Sequence, residues 1–432
     1  MRLGRGARAA RRARARGRDL RRPRRDLSDW LRHEAARVLH ANWREGVTRD
    51  GRRYAFTCPA PPRYHHQWHW DSCFHAITWR HLDPARARAE LRTVLRTGRA
   101  DGFLPHTAFW QRRAGWRRAP LYATGGLRGN RATASIGPPV LPIAWELVAA
   151  SGDDGGAFLA EGLAPLTAHL DWLARERDPD ADGLLTILLP DESGLDDSPK
   201  YDAVYGRLAH HRPGYPILVQ RCRRVGWDAA AYCARHAEHV EDVLVNTLYA
   251  LSLHAMARMS GEERFRVRAR RVQDALLDKC LDPATGLFYD LAGPDEAPVR
   301  VSTWASLAPL ALPELPQDVR RRLVEEHLLD PRRYRAAVGI PSVAMDEPSF
   351  KPGFDLWRCW RGPSWVNTAW LLVPALRELG YEADAARIVG SLEAAARAHG
   401  LREYYDPRSG RGLASRNFGW STLLLDLAIA AG

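Results

Sequence analysis

The feature that most limits what this chain can fold into is a helical apolar period that recurs along most of its length. Leu27, Trp30, Leu31, Ala35, Val38 and Leu39 form one stripe. Val240, Val243, Leu244, Thr247, Leu248, Leu251 and Ala255 form a second, and Ala385, Ile388, Val389, Leu392 and Ala396 a third, all at steps of three and four. The same reading gives about twelve helices, over 27–43, 71–81, 84–98, 139–151, 157–176, 236–259, 261–280, 302–312, 316–329, 361–379, 381–399 and 418–430. Gly380 and Gly400 supply stop signals. Alternating strand patterns are scarce, and LLTILL at 184–189 is the best of them. Twelve helices in six antiparallel pairs predict a closed ring, inner helices alternating with outer ones, in one domain. A stacked solenoid would need a fixed sequence repeat, and none is present.

Charge is concentrated at one end. The net charge is +13, yet residues 1–25 hold twelve Arg and one Asp, which leaves only +2 for the other 407 residues. Residues 1–26 are therefore expected to be a disordered, solvated extension, with the folded domain at 27–432. Without aromatic residues for base stacking in the extension, or a basic stripe on the body, no nucleic-acid partner is expected. The six cysteines are scattered, with no C-x-x-C pair, as in a reduced cytoplasmic protein. The chain has neither a membrane-length apolar run nor a secretory segment. Nothing in it specifies an oligomer.

Polar and aromatic clusters fall just before the even-numbered helices: YHHQWHWD, GFLPH with GPP, ESGLDDSPKYD, WRGPSW and REYYDPRSGRG. In an alternating ring the even helices run the same way, so these segments should gather around one cavity, at helix N-termini that carry partial positive potential. Glu192, Asp196, Asp197 and Asp202 crowd within eleven residues, and mutual repulsion raises the proton affinity of the least solvated one. A general-acid site and a solvated acidic loop both fit that pattern. Glu403, beside Tyr404 and Tyr405, is a second carboxylate in a turn. Trp68, Trp70, Trp360 and Trp365, among sixteen Trp, also sit in turn-like segments. A Trp face suits the C–H face of a sugar ring, with Asp71 and Arg361 beside it as hydroxyl partners. His65, His66, His69 and His75 lack the spacing of a zinc helix, and no metal is expected there. Asp178-x-Asp180-x-Asp182-Gly183 begins like a calcium loop but has Leu189 at the twelfth position, so a sharp turn is expected instead. Asp196, Asp197 and Asp202 loosely imitate the magnesium cluster of a terpene synthase, but a second metal-binding segment is missing.

At these motifs the chain resembles the family-63 glycoside hydrolases and, more distantly, the family-37 trehalases. QWHWDSCFHAI, ESGLDDSP, CWRGPSWVN and EYYDPRSGRGLASRNFGWS are similar to that family's signatures, in the right order, over residues 28–430. The resemblance implies an all-α (α/α)6 barrel that hydrolyses an α-glycosidic bond with inversion and without a cofactor. It implies Asp196 as general acid and Glu403 as general base, with carboxyl groups about 6.5 to 9.5 Å apart. It places Tyr64, Trp68, Trp70, Asp71, His106, Trp360, Arg361 and Trp365 around the substrate. The GFLPHTAFW segment and the compact length are most similar to bacterial members that cleave mannosylglycerate or glucosylglycerate. Arg207, Arg212 and Arg221 are then candidates to meet the glycerate carboxylate. Gly137 stands where Gln is expected in those enzymes, and the stretch LLPD before Glu192 stands where an aromatic residue is expected. An α-glucosidase of oligosaccharides or of trehalose-like disaccharides, a sugar epimerase and a non-catalytic carbohydrate binder are the alternatives on the same barrel.

Overall fold

The computed structural model describes residues 29–110, 131–152, 154–210, 212–355 and 359–430. The extension 1–26 and residues 27 and 28 lie outside them. Six helices form an inner ring: His69–Trp79, Leu141–Ala149, Val243–Ser260, the 3₁₀ run Trp304–Ala311, Val366–Glu378 and Leu423–Ile429. Each packs against the next, and the last returns to the first. Between them along the chain come the outer helices: 29–42, Pro84–Leu95, Gly155–Glu176, Glu263–Ala275, Gln317–Arg322 and Glu382–His399. The fold is an (α/α)6 barrel.

The inner helices are buried over most of their surface, and their composition follows from that. All eleven residues of His69–Trp79 are buried. Several of their polar groups are paired within the protein: His75 Nδ1 lies 3.2 Å from Glu90, Gln67 donates to Ser72, and Thr422 donates to Thr78. The outer helices bury only one stripe; Leu31, Ala35, Val38 and Leu39 of the first are fully buried. Helix starts follow capping chemistry. Asp83 accepts the backbone N–H groups of Ala85 and Arg86, and Asp242 accepts that of Val245.

Several expected boundaries shift for local reasons. The helix expected from 236 begins at Val243, because Val240–Glu241 pairs as a strand before the Asp242 cap. The inner helix expected over 302–312 is a 3₁₀ run containing Pro309, which has no N–H to donate. Strand content exceeds the single expected segment. Thr186–Ile187, within LLTILL, starts a four-stranded antiparallel sheet continued by Val240–Glu241, Asp290–Ala292 and Ala297–Val299. Short hairpins pair Trp43–Val47 with Arg53–Thr57, Gln67–Trp68 with Thr107–Ala108, and Arg402–Tyr405 with Gly412–Arg416. Among the described residues, no helix is long and apolar enough to cross a membrane.

Candidate active site

A cavity of about 680 Å³ opens where the inner helices begin. Described residues from five stretches of chain line it, each stretch ahead of or entering a different inner helix: Pro59 to Asp71; His106, Thr107 and Thr133; Asp191 to His210; Asp355 with Cys359 to Trp365; and Glu403 to Trp420. Asp196 and Glu403 both face this space, as do Tyr64, Trp68, Trp70, Asp71, His106, Trp360 and Trp365. Arg361 does not. Its guanidinium forks onto Asp202 at 2.7 and 2.5 Å, so it braces two loops rather than meeting a ligand, against expectation.

The four crowded acids are separated by what each one touches. Glu192 is fully buried and accepts two bonds from Arg177 (2.7 and 3.0 Å) and the N–H groups of Ile136 and Leu188. Asp202 belongs to Arg361. Asp197 accepts the backbone N–H groups of Cys359 and Trp360; burial and the neighbouring Asp196 still lift its pKa to about 7. Asp196 alone opens into the cavity, its side chain 30% exposed. The recess desolvates it and raises its proton affinity; the nearby His210 pulls the other way, and Asp191 adds to the rise. Gly194 permits this loop to form. Its φ of +73° is left-handed, and a Cβ there would lie 2.4 Å from the Trp70 ring.

Glu403, which lines the same cavity, is buried on the strand Arg402–Tyr405. Tyr64 Oη donates to its Oε1 at 3.0 Å and the Ser415 N–H to its Oε2 at 3.1 Å. Burial first, and then the charge of Glu403, push the Tyr64 phenol well above its ordinary pKa, so it stays a donor. Tyr64 and Cys359 each feel the charge of both Glu403 and Asp196. Asp71, in the first turn of His69–Trp79, is pushed up to about 7 by burial. Trp360 and Trp365 stack at 3.9 Å and 10°, while Trp70 and Trp365 meet Trp420 edge-on.

Other expected residues lie elsewhere. Arg207 and Arg212 are exposed, Arg221 pairs with Glu238 at 2.8 Å, and none of them lines the cavity. Among the described residues, its basic groups are Arg63, His106 and His210. Arg63, Asp191, His210, Tyr404, Phe418 and Trp420 line it and are not among the expected site residues; of these, Tyr404, next to Glu403, and Phe418 and Trp420, within a signature motif, carry a sequence signal. The Asp178 loop is a turn, in which Asp178 and Asp182 accept the N–H groups of Gly183 and Leu184. Asp180, Asp182, Glu241 and Glu296 converge beside it, with the Lys279 ammonium bonded to Asp182 and Glu296.

Two carboxylates, one desolvated and one held by donors, lining one aromatic-walled recess of an (α/α)6 barrel, define the class: a glycoside hydrolase. Residues 64–421 match the family described as the mannosylglycerate hydrolase MGH1-like glycoside hydrolase domain, and the chain belongs to that family, within family 63. It is 30% identical to a mannosylglycerate hydrolase of Thermus thermophilus, covering 88% of this chain and 97% of that one. It is 29% identical to a glucosylglycerate hydrolase of Mycolicibacterium hassiacum, covering 84% and 92%. A crystal structure of a family-63 mannosylglycerate hydrolase from Thermus thermophilus, in complex with Tris and D-glycerate, superposes with a TM-score of 0.80, at 27% identity over 93% of this chain and all of that one.

Proposed function

We propose that this protein hydrolyses the α-glycosidic bond of a small glycerate glycoside, glucosylglycerate or mannosylglycerate, with inversion at the anomeric carbon. The observation that carries the reading is one recess lined by both Asp196 and Glu403. Asp196, whose proton is favoured by desolvation, gives that proton to the departing glycosidic oxygen. Glu403, oriented by Tyr64 and the Ser415 N–H, takes a proton from a water on the opposite ring face. Trp70, Trp360 and Trp365 supply apolar faces to the sugar ring, and Asp71 accepts a hydroxyl hydrogen. Proton transfers alone complete the reaction, so no cofactor or metal takes part. The substrate is taken from the named activities of the relatives at 30% and 29% identity.

The catalytic unit is the barrel of residues 27–432, with the Arg-rich segment 1–26 outside it. Six unpaired cysteines fit a cytoplasmic site of action on a soluble compatible solute. Incubation with glucosylglycerate, mannosylglycerate, trehalose and kojibiose, followed by proton NMR in the first minutes, tests this. The expected outcome is release of the β-anomer from a glycerate glycoside. First appearance of the α-anomer refutes inversion, and failure to release sugar from any of the four refutes the activity.

A further inference from the structure

The acid side of the cavity holds a basic residue with no role in the mechanism above. His210 Nδ1 lies 3.1 Å from Asp196 Oδ2, and both side chains are about one-third open to the cavity, at 33% and 30% exposure. The imidazole rests edge-on against Tyr215, with ring centres 4.9 Å apart. Tyr215 is itself fully buried and donates to Asp191 at 2.6 Å. The histidine thus has a fixed platform behind it and the proposed acid in front.

Among the described residues, position or hydrogen bonding separates it from the cavity's other basic groups. Arg63 lies over the ring of Tyr64, the residue bonded to Glu403, and so belongs to the base side. His106 Nδ1 lies 3.3 Å from the Ile136 carbonyl, which can only accept, so that nitrogen is the donor. A leaving group departs towards the general acid. In a glycoside of a 2-hydroxy acid, the carboxylate carbon is two bonds from the glycosidic oxygen that Asp196 must protonate. A base hydrogen-bonded to Asp196 is therefore within reach of that carboxylate.

We infer that His210 is the residue that recognises an anionic aglycone: it holds Asp196 in the empty site and turns to the carboxylate of a 2-hydroxy-acid glycoside, leaving Asp196 with a proton of its own. The inference rests on the glycoside-hydrolase reading of this cavity. The proton balance follows directly. Paired to each other, Asp196 and His210 share one proton; separated, a neutral Asp196 and an imidazolium hold two, so binding takes one proton from solvent. Asp191, Asp197, His106, Tyr64 and Cys359 surround Asp196, and the Asp191 charge favours its protonated form.

Two measurements decide the matter. First, kcat/KM is compared for the glucosides of glycerate and of glycerol, which differ in the carboxylate. In His210→Gln the preference for the glycerate glycoside should fall at least about tenfold; an equal loss on both substrates, or no loss, overturns the inference. Second, calorimetric binding of glucosylglycerate to Glu403→Gln, in buffers of different ionisation enthalpy, should read proton uptake. That uptake should disappear when His210→Gln is added. Uptake that persists in the double variant, or that is absent from both, overturns the inference. Should only the mannosides be cleaved, both measurements are made with the mannosides of glycerate and glycerol; if wild-type protein cleaves neither the glucosides nor the mannosides, the hydrolase reading fails first, which is a separate result.

Discussion

The environment of a carboxyl group decides what it can do in this cavity. Asp196 and Asp197 are neighbours in sequence, yet one opens to the cavity while the other is turned back onto two backbone N–H groups. Asp196→Asn keeps shape and removes the transferable proton; Glu403→Gln keeps the Tyr64 contact and removes the base. Each substitution should lower kcat by about a thousandfold with melting temperature nearly unchanged. Turnover within a few-fold of wild type for either variant removes that residue from the mechanism. Some of this is readable in sequence, because Trp, Gly and clustered acids in turn segments are conspicuous against helical stripes. His210 and Arg63 are not, since a single His or Arg in an irregular loop has no period or spacing, and only the closed ring gives it neighbours. Arg361 shows the converse: its place beside Trp360 suggested a ligand, and the partner that claims it, Asp202, is 159 residues away.

The barrel helices followed the sequence, while Tyr215–Arg224, a ten-residue helix outside both rings, was not among the expected ones. The twelve helical windows are the twelve positions of the two rings, because a stripe at period 3.6 sustained over ten or more residues has few alternatives. Strands of two to five residues are too short to show alternation, so the hairpins around the barrel mouth were legible only at LLTILL. One of them carries a buried acid. Glu241, on the strand Val240–Glu241, is pushed up to about 8, first by burial and next by Asp182. An unfolded Glu titrates near ~4.3, so the folded state binds the proton more tightly and is favoured at low pH. That contribution is whole below ~4.3 and is lost as pH rises towards about 8. Glu241→Gln fixes the neutral form. The variant should therefore gain more in melting temperature over wild type at pH 8 than at pH 5, and equal shifts at the two pH values would show that burial is not what raises this group.

At the scale of the molecule, a ring has to close, and closure here joins the two ends of the barrel. The last inner helix, Leu423–Ile429, packs against the first, His69–Trp79. Asp426 fixes that seam: it accepts Arg80 at 2.6 Å, lies 2.6 Å from His81 Nε2, and accepts the indole N–H of Trp370, on the fifth inner helix, at 2.8 Å. Burial raises its pKa, but the bonds from His81 and Arg80 and the Arg80 charge outweigh that, and the net shift is downward. The sign is therefore opposite to that of Glu241. The stability Asp426 gives is present above the unfolded value of ~3.9 and is lost as pH falls through and below it. Asp426→Ala leaves a partly buried arginine and an indole without their acceptor, at a cost of about 3 kcal/mol. Urea unfolding at pH 7 should show that loss, and the gap from wild type should narrow at pH 3. Because five segments reach the cavity only when the ring is shut, the variant should also lose turnover on warming at the temperature where its fold melts. A loss of turnover well below that melting point would mean that the seam opens locally, with the rest of the barrel intact.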